Sequence, residues 1–216
     1  MRVIVTRPRA QAGPLVAALQ SHGFDSVLFP LLEIESIDDG PIDLTGYEWV
    51  IVTSANGAAE LGRRRRGALP QIAAIGQRTA AELVRQGLPV DFVPSMPSQE
   101  ALVAEFPRPF GRALFVAAEG ARDVLAVGLP ADFRAAYRTI ELDPGDPPEG
   151  ELVLLASPSA ARAWAKLDAA IPAITIGPQT TEAARVAGVD VAAEAQTQDV
   201  QGLVDSAAAW RASSPS

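Results

Sequence analysis

Short apolar runs alternate along this chain with alanine-rich stretches of helical period. The runs fall at residues 2–6, 26–30, 49–53, 71–75, 90–93, 113–116, 151–156, 173–176 and 189–192. Each is short and largely apolar, the pattern of parallel strands covered on both faces. Between them, residues 11–21, 79–86, 99–106, 159–167, 180–186 and 199–210 carry the spacing of helices. Gly23, Gly87 and Gly188 follow three of these stretches, where a left-handed residue ends a helix. The alternation predicts an α/β protein with parallel sheets flanked by helices.

The pattern also repeats. Ile75-Gly76-Gln77-Arg78-Thr79 recurs as Ile176-Gly177-Pro178-Gln179-Thr180, an offset of 101 positions (75 to 176). Upstream, Val52-Thr53-Ser54-Ala55-Asn56 has a counterpart in Leu155-Ala156-Ser157-Pro158-Ser159. Downstream, Ser98-Gln99-Glu100 is echoed by Thr197-Gln198-Asp199. An offset near half the chain length predicts two similar lobes of one architecture, each a five-stranded parallel sheet. Residues 29–36 and 137–143 alternate charged and apolar positions and precede breaker-rich stretches, so they suit two connecting strands. The resulting division is residues 1–32 and 145–216 for lobe one, 42–133 for lobe two, and 33–41 with 134–144 for the connector. The working site is expected in the cleft between the lobes.

Composition narrows the chemistry. The 216 residues contain no cysteine and a single histidine, His22, which removes thiol chemistry, most zinc sites and the usual Ser-His-Asp arrangement. His22 sits where a helix ends and reads as a surface cap. Against 18 Lys and Arg stand 26 Asp and Glu, a net charge of -8, which argues against a nucleic-acid binder. The one basic run, Arg63-Arg64-Arg65-Arg66, falls at a helix end and reads as a solvated offset to the helix dipole. The apolar runs are too short to cross a bilayer, and Arg7 interrupts the start where a signal peptide would stay apolar. A cytoplasmic protein is expected.

Neither nucleotide-binding glycine motif is present. Instead, four strand ends run into polar turns that open helices: Thr53-Ser54-Ala55-Asn56, Gly76-Gln77-Arg78-Thr79, Ser157-Pro158-Ser159 and Gly177-Pro178-Gln179-Thr180. Such turns offer free backbone N–H groups and the positive end of a helix dipole, which suit anions. They serve equally as plain N-caps.

Taken in order, Val5-Thr6-Arg7-Pro8, Thr53-Ser54-Ala55-Asn56, Ile75-Gly76-x-x-Thr79-Ala80, Glu119-Gly120-Ala121-Arg122, Tyr137-Arg138 and Ile176-Gly177-Pro178-x-Thr180 resemble the uroporphyrinogen-III synthase family. The chain departs from that pattern at Ala117-Ala118, where many members have Arg-Gly, and at Gln179, where threonine is more usual. The resemblance implies a bilobed fold and a cofactor-independent hydro-lyase. Its substrate would be the linear tetrapyrrole hydroxymethylbilane, closed with inversion of ring D. It further implies Tyr137 as proton donor to the departing hydroxyl. Thr53, Ser54, Gly76, Thr79, Ser157, Ser159, Gly177, Thr180, Arg7, Arg78, Arg122 and Arg138 follow as substrate contacts. No metal, nucleic acid or membrane partner is implied; a monomer supplied by the hydroxymethylbilane-forming enzyme is. The alternatives are a non-catalytic two-lobed protein closing on a small anion, and a regulatory module. A receiver-like module needs paired acids after the first strand, and Thr6-Arg7-Pro8 lacks them.

Overall fold

The computed structural model describes residues 1–121 and 128–213. Twelve strands appear among them: β1 (Arg2–Val5), β2 (Asp25–Leu28), β3 (Leu32–Ser36), β4 (Ile42–Asp43), β5 (Trp49–Val52), β6 (Arg65–Arg66), β7 (Gln71–Ala74), β8 (Ala113–Ala118), β9 (Ala131–Glu141), β10 (Leu152–Leu155), β11 (Ala173–Thr175) and β12 (Val191–Glu194). The helices are α1 (Arg9–Ser21), α2 (Ala55–Arg64), α3 (Gln77–Arg85), α4 (Gln99–Glu105), α5 (Pro158–Ala165), α6 (Pro178–Val186) and α7 (Val200–Ser213). The chain forms two compact units, Met1–Glu33 with Ile140–Ser216, and Ile34–Thr139. Strands β3 and β9 carry the chain from one unit into the other.

The first unit holds a five-stranded parallel sheet in the order β12-β11-β10-β1-β2. Alternate residues of its central strands bury on opposite faces. Val3, Val5, Leu152 and Leu154 pack with Leu15 and Leu19 of α1 and Leu203 of α7. Ile4, Val153 and Leu155 pack with Trp164 of α5 and Ala184 of α6. Uniformly apolar strands such as Leu152–Leu155 need this two-sided cover.

The second unit's sheet runs β3-β9-β8-β5-β7. Its four strands from β9 to β7 are parallel. Val50, Val52, Leu114 and Val116 face α2 and α3, while Trp49, Ile51 and Phe115 face α4. The structure departs from the expected five parallel strands at both edges. Residues 90–93 make only one bridge, Phe92 to Ala73. Asp91 and Phe92 N–H donate to Ile72 O, and Phe92 O accepts from Ala74 N–H. But Pro89 and Pro94 flank the segment and the Asp91 carboxylate takes the Ile72 N–H at 2.8 Å, so the ladder stops there. At the opposite edge β3 runs antiparallel to β9, with Ile37 N–H donating to Ala136 O and Leu142 N–H to Leu31 O.

The sequence repeat has a structural counterpart in each sheet. Strands β5 and β7 are neighbours followed by α2 and α3, as β10 and β11 are neighbours followed by α5 and α6. Gly76 and Gly177 are both buried because a neighbouring segment presses on them. A Cβ at Gly76 would meet Pro97 Cβ at 2.8 Å, and one at Gly177 would meet Gln198 Cγ at 2.8 Å. The downstream echo aligns differently from the sequence reading. Ser98 accepts from Ala101 N–H ahead of α4, and Asp199 accepts from Gly202 N–H ahead of α7. The matching caps are therefore Ser98 and Asp199, again 101 positions apart (98 to 199).

Candidate active site

Ligands of open α/β sheets favour the carboxyl ends of neighbouring strands whose following connections leave to opposite faces. In the second unit β5 and β8 are such a pair: α2 follows β5 on one face, while Ala121 and Leu129, after β8, pack on the other. The turn after β5 is Thr53-Ser54, both half-buried. Ser54 caps α2, its Oγ accepting from Gly57 N–H at 3.0 Å. Gly57 keeps this turn close to the sheet, since an added Cβ would lie 3.1 Å from Val116 O.

Tyr137 reaches the same turn because β9 is irregular. Its pairing with β8 runs Ala117 to Ala135, then Ala118 to Tyr137, leaving Ala136 as an extra residue. In a regular strand Ala136 and Tyr137 would face opposite ways; the bulge puts both on the face covered by α2 and α3. Tyr137 is 6% exposed, and its hydroxyl shares a hydrogen bond of 2.8 Å with Ser54 Oγ. Burial pushes the phenol above its ordinary range, opposed by hydrogen bonds from Ser54 and Asn56. Glu119 N–H also donates to Tyr137 O at 2.9 Å, fixing the strand beside the Glu119-Gly120-Ala121 segment.

This arrangement has a chemical consequence. The buried phenol stays protonated at neutral pH and so can give a proton. Ser54 Oγ accepts from Gly57 while its own hydrogen can point to the phenol oxygen. Asn56 and the positive end of α2 sit on the same side. Charge that develops as the proton leaves therefore meets donors already in place.

The other sequence-derived residues spread over both units. Gly76 caps α3 and Gly177 caps α6, each in extended backbone. Thr79 and Thr180 lie in the first turns that follow and are 5% and 2% exposed, so little of either hydroxyl side chain faces outward. Ser157 caps α5, accepting from Ala160 N–H at 3.2 Å. Ser159 accepts a long hydrogen bond of 3.4 Å from Arg162. Arg7 is half-buried directly after β1, where the Thr6 hydroxyl ties that strand to Leu154 O at 2.8 Å. Arg78 is exposed in the first turn of α3. Arg138 is already engaged, its Nε 2.7 Å from Glu35. Arg122 lies outside the described residues.

Two side chains near Tyr137 were not singled out from sequence. Asn56 was visible in the Thr53-Ser54-Ala55-Asn56 turn, but only the bulge brings the tyrosine to it. The other is Arg64, and here the reading of the arginine run needs correcting. Arg63 and Arg64 do end α2, yet the Arg64 side chain is 2% exposed rather than solvated, and bonds Gly40 O, Ala136 O, Glu60 and Asp38. His22, by contrast, is an exposed C-cap of α1 as expected. Among the described residues, no cluster of His, Asp and Glu is arranged to hold a metal ion, and no helix is long and apolar enough to cross a membrane.

Residues 13–205 match the family model described as uroporphyrinogen-III synthase HemD. A Methanocaldococcus jannaschii protein is 30% identical over 151 residues, 65% of this chain and 63% of its own length. The uroporphyrinogen-III synthase of Synechococcus elongatus is 31% identical over 144 residues, 59% of this chain and 54% of its own. The chain thus spans about six tenths and about half of these two relatives. The solved uroporphyrinogen-III synthetase of Helicobacter pylori has the same fold, with a TM-score of 0.70 over 98% of this chain and all of its own, at 16% identity.

Proposed function

Because the chain belongs to the uroporphyrinogen-III synthase family, we propose that it closes hydroxymethylbilane to uroporphyrinogen III with inversion of ring D and loss of water. One observation carries the proposal to these residues: a buried, protonated tyrosine held 2.8 Å from a helix-capping serine at a strand switch point.

The proton of Tyr137 goes to the departing ring A hydroxymethyl oxygen, which leaves as water. The ring A methylene becomes an azafulvene carbon, and Ser54 and Asn56 stabilise the phenolate left behind. Ring D attacks that carbon through its substituted position to give a spiro intermediate. Fragmentation and reclosure at the free position invert the ring. The proton released as ring D regains aromaticity restores the phenol, so the sum is hydroxymethylbilane to product plus water. Pyrroles supply their own electron push, so this reading requires no metal or organic cofactor.

What the protein adds is mainly geometry. The N-terminal turns at Thr53, Ser54, Gly76 and Thr79, and their counterparts at Ser157, Ser159, Gly177 and Thr180, are proposed to hold substrate carboxylates through backbone N–H groups. Arg7, Arg78, Arg122 and Arg138 are their proposed side-chain partners. Of these, Arg138 would have to exchange Glu35 for substrate. The two units are proposed to act as similar lobes. Free hydroxymethylbilane closes spontaneously to the uninverted type I isomer, which favours direct supply from the enzyme that forms it.

The purified protein, fed porphobilinogen through a hydroxymethylbilane-forming enzyme, should yield mainly the type III isomer. Type I alone would replace this reading with that of a non-catalytic anion-binding protein.

A further inference from the structure

The reach of Tyr137 to Ser54 depends on a strand irregularity, and irregularities need support. Ala136 is the extra residue of the β9 bulge. Its carbonyl accepts from Ile37 N–H on the β3 side and from Arg64 Nη1, both at 3.2 Å. All three guanidinium nitrogens of Arg64 are engaged: Nε donates to Gly40 O at 2.8 Å, Nη1 also to Glu60 at 3.2 Å and Nη2 to Asp38 at 2.5 Å. Asp38 binds Arg134 as well, at 2.9 and 3.1 Å, and Arg134 lies on β9 just before the bulge.

Helix α2 is consequently attached to β9 at both ends. Ser54 meets the Tyr137 hydroxyl at its start, and Arg64 meets the peptide preceding Tyr137 at its end, a helix of about 15 Å apart. A planar fork reaches four partners at once, which an ammonium cannot do. Burying a guanidinium among two carboxylates is a poor route to stability alone, because desolvation offsets much of the attraction.

We infer that Arg64, clamped by Asp38 and Glu60, is a positioning residue that holds the β9 bulge so that the Tyr137 hydroxyl stays on the cap of α2. Arg64 touches no substrate; it acts through the Ala136 carbonyl. The catalytic half of the inference rests on the proposed role of Tyr137, whereas the placement half does not.

The test uses Arg64→Lys, with Asp38→Asn as a second variant should the first fail to fold, and Arg63→Ala as control. Arg63 pairs with Asp39 and Glu60 at the surface and does not reach Ala136. Turnover should fall about tenfold in Arg64→Lys while KM stays within about twofold, with a smaller fall in Asp38→Asn and none in the control. Placement is read separately. The chain has two tyrosines, Tyr47 and Tyr137, so a Tyr47→Phe background leaves the tyrosinate absorbance of Tyr137 alone. In folded protein its alkaline midpoint should move down toward the ordinary phenol value when Arg64 is changed and the ring is released to water. A merely structural Arg64 would shift the urea midpoint and leave the phenol where it was; that result overturns the inference. If the wild-type protein makes no type III isomer, the functional reading fails while the phenol titration still decides the placement.

Discussion

The Tyr137 hydroxyl stands 2.8 Å from the Ser54 hydroxyl, although the two residues are 83 positions apart and lie on different elements. That contact joins the capping of a helix to the chemistry proposed for the site, so the two can be separated by substitution. Tyr137→Phe should keep the fold and lower turnover without abolishing it. A main oxyanion contact is worth about 10²–10³ in rate, and the loss should be smaller where geometry carries the reaction. Ser54→Ala removes both the phenol's partner and the cap, so it should also lower stability by about 1 kcal/mol in urea unfolding. An unchanged turnover in Tyr137→Phe removes the tyrosine from the mechanism.

The phenol's environment sets a pH dependence. Burial raises its titration above the ordinary value of 10.0, with Ser54 and Asn56 opposing. The donor form is therefore present throughout the neutral range. Activity should fall only as pH rises through that elevated value, and the fall should disappear in Tyr137→Phe. A limb below pH 10.0 that survives the substitution would assign it to another group.

Acid should loosen the same unit from the other end of α2. Burial raises the titration of Glu60, but hydrogen bonds from Ser36, Arg63 and Arg64 outweigh it and hold the carboxyl below 4.5. A depressed acid stabilises the fold above its unfolded value, and that contribution is lost as pH falls from 4.5 through the folded value. Glu60→Gln should lower stability at pH 7 and flatten this part of the acid unfolding curve. An acid limb of unchanged slope would show that Glu60 does not govern it.

Two equivalent glycines should respond unequally. Gly76→Ala drives a Cβ against the rigid ring of Pro97 and should cost about 1–3 kcal/mol. Gly177→Ala meets only the movable side chain of Gln198 and should cost less than about 1 kcal/mol. Equal urea midpoints for the two variants would show that neither contact limits packing.

His22→Ala should leave turnover and its pH profile unchanged. The ring is exposed, with Nδ1 2.9 Å from Ala18 O and 3.2 Å from Ser21 Oγ, at the end of α1. A folded variant with a tenfold loss would mean that the site involves α1.

Much of the fold could be read from the sequence because its signals are local. Runs such as Val3–Val5 and Leu152–Leu155 are apolar at every position, and two-sided burial in a parallel sheet suits that pattern. The repeat that relates Ile75-Gly76 to Ile176-Gly177 is visible for the same reason, since each copy caps a helix after a strand. The Thr53–Asn56 turn, too, announces itself as a cap before anything is known of its neighbours.

Tertiary structure decided what those signals leave open. How far residues 90–93 extend the sheet depended on their pairing with β7: Asp91 and Phe92 N–H reach Ile72 O, but the Asp91 carboxylate takes the Ile72 N–H that a longer ladder would use. Four consecutive arginines look alike in sequence, yet only Arg64 is buried, because α2 ends against Asp38 and the Ala136 carbonyl. The orientation of Tyr137 was the least legible of all. Strand alternation alone would point it away from α2; one unpaired residue in the register between β8 and β9 reverses it. Register is a relation between strands, fixed by how two distant segments pair, and no local pattern in either segment encodes it.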